Sequence, residues 1–143
     1  MLSKSCQYAI RAVLYVGKNG TETHKIELKD IADGLGIPKP FLAKVMQQLV
    51  RRQLVNSVKG PHGGFYLTPK ERKKSLLDIV QAIDGLEYFS KCGLGMEECS
   101  PSNPCPVHDQ VLKGREVLMK SLCSNTIEKV EKRLRDGEYG IVR

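Results

Sequence analysis

The chain has 143 residues, 41% of them hydrophobic and 27% charged, which allows one domain with a single core and excludes an elaborate multidomain enzyme. No apolar run approaches the roughly 18 residues of a membrane span, and the N-terminal stretch lacks signal-peptide architecture, so a cytoplasmic protein with no membrane association is expected. The net charge of +7 is uneven: residues 1–74 carry 14 Lys and Arg against 5 Asp and Glu, while residues 75–143 carry 9 against 11, so the front half is the one suited to a polyanion.

Ala9, Ala12, Val13 and Val16 recur at helical spacing and predict a first helix over about 3–18. Leu28, Ile31, Ala32 and Leu35 form a second apolar stripe, expected to end at Gly34 and Gly36. Pro38 and Pro40 open a third helix, where a missing backbone donor costs little, and the pattern runs to about Arg52. Two short β-like segments follow, 54–59 and 65–68, around the turn formers Gly60-Pro61-His62-Gly63-Gly64. Ser75 and Asp78 make a capping box for a fourth helix that stops at Gly85. Residues 86–104 read as a loop rich in Gly, Pro and Ser. A long helix covers about 105–122, and a final one carries Ile127, Val130 and Leu134. The expected fold class is mainly α with a small β-hairpin wing. Residues 1–85 form a winged helix-turn-helix, 86–104 a cysteine-rich loop, and 105–143 a helical region.

In that order of elements the third helix enters a DNA major groove and the hairpin reaches alongside. At 100° per residue, Pro40, Lys44, Gln47, Gln48 and Arg51 share one face, with Leu42, Val45, Met46 and Leu49 opposite. Glutamine can pair bidentately with adenine, while Lys and Arg contact guanine or phosphate. The same residues populate ordinary solvated helix faces, so the weight rests on the combination with the hairpin and the basic front half. Lys59 and His62 lie at the hairpin tip, Lys59 as the candidate phosphate or minor-groove contact. The glycines there do not form a nucleotide-phosphate loop, because G-x-x-x-x-G-K-[ST] followed by a helix is absent.

Cys92, Cys99, Cys105 and His108 are spaced C-x6-C-x5-C-x2-H. Zinc fingers show tighter cysteine pairs. Loosely spaced thiolates on a flexible loop fit an iron–sulfur cluster better, with histidine as a substitute ligand. A thiol-redox or zinc sensor using the same cysteines is the alternative, and a four-iron cluster is also compatible with this donor set. Cys6 and Cys123 lie on helical patterns with apolar neighbours and read as packed thiols. A catalytic Cys105–His108 pair lacks any orienting group or oxyanion element, so no enzyme activity is expected.

With both halves in view, the chain resembles the Rrf2 family of bacterial winged helix-turn-helix regulators, specifically its iron–sulfur cluster branch. The likeness rests on the Tyr8-Ala9 helix start, Leu28-x-x-Ile31-Ala32, the 37–49 segment, Val58-Lys59-Gly60-Pro61-His62-Gly63-Gly64-Phe65 and the three-Cys-plus-His loop. The resemblance implies a DNA-binding repressor or dual regulator. It would act as a homodimer on a pseudo-palindromic duplex operator, with the long helix over 105–122 as the dimerisation element. It implies a two-iron two-sulfur cluster on Cys92, Cys99, Cys105 and His108. It also places Lys39, Lys44, Gln47, Gln48, Arg51 and Lys59 in DNA-contacting segments. The nitric-oxide-sensing branch takes an acidic ligand from the first helix, and the neighbours of Tyr8 offer none, which favours His108. Six residues separate Cys92 from Cys99 where the family more often has five, and Pro40 and Ala43 stand where relatives often carry polar or acidic residues. Operator preference is therefore not carried over. Val107, Val111, Leu118 and Leu122, with Gly114, are the expected dimer seam.

Overall fold

The structure is a computed structural model and describes residues 1–142. Ser3 caps the first helix, α1 (Lys4–Asn19), by accepting a hydrogen bond from the Cys6 backbone N–H. Ala9, Ala12, Val13 and Val16 are buried along it, and the helices over 28–35, 39–51, 76–83 and 127–135 all pack against this one helix. Small residues at the crossing points let neighbouring helices approach closely.

α2 spans Leu28–Leu35 and ends at Gly36, whose φ of +63° is a left-handed conformation that glycine adopts without penalty. Gly34, expected as part of the stop, lies inside the helix instead, and its lack of a side chain makes room for the Tyr15 ring. Three residues later α3 begins, spanning Lys39–Arg51 with Pro40 in its first turn, as the two prolines predict. Buried Ile37 holds this turn by donating its N–H to the Ala32 carbonyl at 3.0 Å.

After α3, Leu54 and Val55 enter the core, so the strands are shorter than the apolar pattern predicts. β1 (Asn56–Val58) pairs antiparallel with β2 (Gly64–Tyr66), with Ser57 opposite Phe65. The hairpin is anchored at its base. Phe65 donates to the Ile26 carbonyl at 2.8 Å, and Ile26 donates back to Phe65 at 2.9 Å. Gly64 permits this approach, since a Cβ there would sit 2.7 Å from the Ile26 oxygen at a φ of +144°.

A short helix that the sequence pattern did not predict follows: α4 (Pro69–Arg72), closed by a capping box between Thr68 and Glu71. Burial pushes the Glu71 carboxyl up, but the Thr68 hydroxyl and backbone N–H outweigh it and hold it below the usual carboxylate value. α5 (Leu76–Ile83) starts at the predicted Ser75–Asp78 capping box. Within the loop over 86–104 sits a 3-10 turn, Glu87–Phe89.

The long helix α6 runs His108–Ser124, so Cys105 lies just outside it and His108 is its first residue. α7 (Ile127–Arg135) then returns to α1, burying Ile127 and Leu134 in the same core as α1–α3. Residues from both ends of the chain thus build one hydrophobic centre. Leu118 and Leu122 pack with Cys6, Val80 and Phe89 of their own chain, and Val111 lies against Gly93. The stripe expected as a dimer seam is therefore largely turned inward, and the exposed apolar side chains of α6 are Leu112 and Val117. Cys6 is buried as expected, and burial beside Asp84 pushes its thiol up to about 12. Cys123 is exposed, contrary to the expectation of a packed thiol, because its position falls on the outer side of α6.

Candidate nucleic-acid interface and cysteine loop

The α3 spacing sorts side chains as the 100° rotation requires. Leu42, Val45, Met46 and Leu49 are buried, while Lys39, Pro40, Lys44, Gln47, Gln48 and Arg51 are exposed. Lys59 and His62 are exposed in the hairpin turn. Among the described residues, none of Lys39, Lys44, Arg51 and Lys59 is paired with a carboxylate, so all four remain available to an outside anion.

The wing and α3 meet in a cleft of about 410 Å³ lined by Gln47, Arg51, Ser57, Val58, Lys59 and Phe65, among others. It unites Gln47 and Arg51 with Lys59, three residues selected from sequence. Lys39, Lys44, Gln48 and His62 lie outside its lining, exposed on α3 or at the wing tip. Ser57 was missed by the sequence reading; its outward place in β1, opposite Phe65, is the signal that could have found it. A cation on each wall and hydroxyl and amide groups between them suit a nucleic-acid backbone.

Of the four expected ligands, the cysteine loop brings Cys99 and His108 into contact. Cys99 Sγ lies 3.3 Å from His108 Nδ1. The Cys92 thiol is held below its usual value, first by the backbone N–H groups of Leu94 and Met96. Cys105 and the charge of Arg115 add to that effect. Cys92, Cys105 and His108 are buried and Cys99 is half-buried. Among the described residues no three Cys, His, Asp or Glu side chains converge tightly on one point, which limits the grouping to pairs.

Helix, short turn, helix and a two-stranded wing, with an exposed polar face on the second helix, define a winged helix-turn-helix protein. The chain belongs to the Rrf2 family, whose model, described as an iron-dependent transcriptional regulator, matches residues 2–133. It is 39% identical over 110 residues to an Aquifex aeolicus protein provisionally named an HTH-type transcriptional regulator, covering 76% of this chain and 75% of that one. It is 30% identical over 107 residues to the HTH-type transcriptional regulator IscR of Klebsiella pneumoniae, covering 75% of this chain and 64% of IscR. Its fold is similar to that of CymR, the global cysteine regulator of B. subtilis. There the TM-score is 0.76 at 20% identity, over 92% of this chain and 96% of CymR. The family and these relatives are regulators of transcription and not enzymes, and DNA binding follows from that membership. Among the described residues no helix is long and apolar enough to cross a membrane.

Proposed function

We propose that this regulator reads a pseudo-palindromic duplex as a homodimer, through α3 and the wing, and that its cysteine loop holds a two-iron two-sulfur cluster. The observation that carries the DNA reading is the exposure of Lys44, Gln47, Gln48 and Arg51 on the helix whose other face is buried. Gln47 and Gln48 are assigned to base edges, Arg51 and Lys44 to bases or phosphates, and Lys39, Lys59 and His62 to the backbone. Two copies related by a twofold axis would place their α3 helices about one or more helical turns apart.

For the cluster, the donor set fits. Cys92, Cys99, Cys105 and His108 would supply the four donors that a two-iron centre takes, and Cys99 Sγ already lies 3.3 Å from His108 Nδ1. The family description as iron-dependent points the same way. Backbone N–H groups aimed at the Cys92 sulfur favour the thiolate that ligation needs. When bound, the group supplies a centre responsive to oxidants, nitric oxide or iron–sulfur supply. His108 begins α6, and the far end of α6 packs on α1 and α5, so a change at the loop has a solid route to the DNA-reading half.

Cys99→Ala is expected to abolish the visible absorbance of anaerobically purified protein and to leave its helical content unchanged. Colourless wild-type protein without iron or sulfide would favour the second reading, a thiol or zinc sensor. That reading is supported by the lowered Cys92 thiol. Cluster-loaded and cluster-free protein are expected to differ in affinity for a selected operator, and equal affinities would discard the coupling.

A further inference from the structure

We propose that the cleft between the 3-10 turn at Glu87–Phe89 and α6 is a binding site for a small carboxylate with a short apolar body. The cleft measures about 470 Å³, within the range of small-molecule sites. Its buried cation is Arg115, which is 9% exposed and whose Nη1 is buried with no hydrogen-bond partner among the described residues. A guanidinium cannot shed its proton, so a buried N–H edge without an acceptor is unfavourable until an anion meets it. Among the described residues no Asp or Glu lines the cleft. Lys91, which also lines it, is exposed and paired with Glu87 at 2.9 Å.

Two features set the ligand class. The Tyr88 ring lies 5.5 Å from Arg115 Cζ, a cation–π contact that steadies the guanidinium plane. A planar fork so held takes a carboxylate through two parallel bonds. Much of the remaining lining is Gly93, Val111, Gly114 and Leu118. Gly114 has open space where a Cβ would stand, which leaves room for a short hydrocarbon chain. Inorganic phosphate would meet the same cation but gain nothing from that apolar wall. Cys92 also lines the cleft, so occupancy and the state of the cysteine loop are linked, and each alters the other's equilibrium.

The test is a nuclear magnetic resonance titration of the ¹⁵N-labelled full chain with sodium butyrate, butyramide and inorganic phosphate. Butyrate is expected to shift the Arg115 Nε and the Gly93 and Gly114 amide signals saturably. Phosphate should bind at least about tenfold more weakly, butyramide should leave the signals in place, and Arg115→Met should raise the butyrate Kd at least about tenfold. Equal responses to butyrate and butyramide, phosphate binding as tightly as butyrate, or no saturable shift would each overturn the assignment. Signals that move with protein concentration instead of butyrate would place a second copy of α6 in the cleft, and also overturn it. Should Arg115→Met fail to fold, the butyrate–butyramide contrast on the unaltered chain still decides.

Discussion

Arg72→Met is expected to lower the free energy of unfolding by about 3–5 kcal/mol at neutral pH, because it removes the nearer partner of a core carboxylate and leaves only the longer contact to Arg135. Glu131, on α7, is 1% exposed and faces Arg72 at the end of α4, with Arg135 one turn along at 3.6 Å. Both arginines also donate to the Gly17 carbonyl, Arg135 at 2.8 Å, so the cluster ties α1, α4 and α7 together. Gly17 is small for a reason visible there: a Cβ would overlap the Glu131 carboxylate. An exposed pair would contribute little, and the burial of Glu131 is what makes the partner matter.

The same site sets a pH dependence. Burial raises the Glu131 carboxyl above its ordinary value even though Arg72 and Arg135 pull it down. The folded state therefore holds this proton more tightly than the unfolded chain. Its contribution to stability is greatest below the unfolded pKa and is lost as pH rises to the folded value. Removing Arg72 raises the folded value further, so the deficit of Arg72→Met should shrink at pH 5 relative to pH 7. Urea denaturation at both pH values checks this. A loss below about 1 kcal/mol at pH 7, typical of exposed pairs, or an equal loss at pH 5, would refute it.

Raising salt from 50 to 200 mM is expected to weaken duplex binding about 10³-fold or more. Among the described residues, Lys39, Lys44, Arg51 and Lys59 stand free of carboxylates on the α3 and wing surface. Doubled by a twofold axis they offer about eight cations, inside the range of phosphate contacts that gives such a slope. The effect comes from counterion release, so it should hold for operator and unrelated duplex alike. Fluorescence-anisotropy titrations across that salt range measure it, and an affinity nearly flat in salt would mean that these cations do not meet phosphates.

Much of the DNA-reading half was legible because its signals are local. The alternation of Leu42, Val45, Met46 and Leu49 with polar residues fixes which way α3 faces, and Gly36 is needed for a left-handed turn. What escaped was tertiary. A four-residue helix such as α4 has no periodicity to detect, although Thr68 and Glu71 stood at capping-box spacing. The single rung at Ile26 that anchors the wing leaves no pattern at all. On α6 the sequence shows an apolar stripe but not what it packs on, and Leu118 and Leu122 turned toward their own chain. Arg115 drew no notice as one more helical cation, since only the fold reveals that its guanidinium is enclosed. The four-donor set was legible from spacing, but the contact of Cys99 with His108 was not, because it depends on how the residues between them fold back onto the start of α6.

The central claim is that the outward side of α3 reads base pairs. Its most direct test is selection from a randomised duplex library with wild-type protein, Gln48→Ala and Lys59→Ala. The expected result is a twofold-symmetric preferred site. Gln48→Ala should lose discrimination at one base pair per half-site, by roughly 1–3 kcal/mol, while Lys59→Ala weakens every sequence alike. An unchanged preferred site for Gln48→Ala, selected as strongly as by the wild type, would contradict the account.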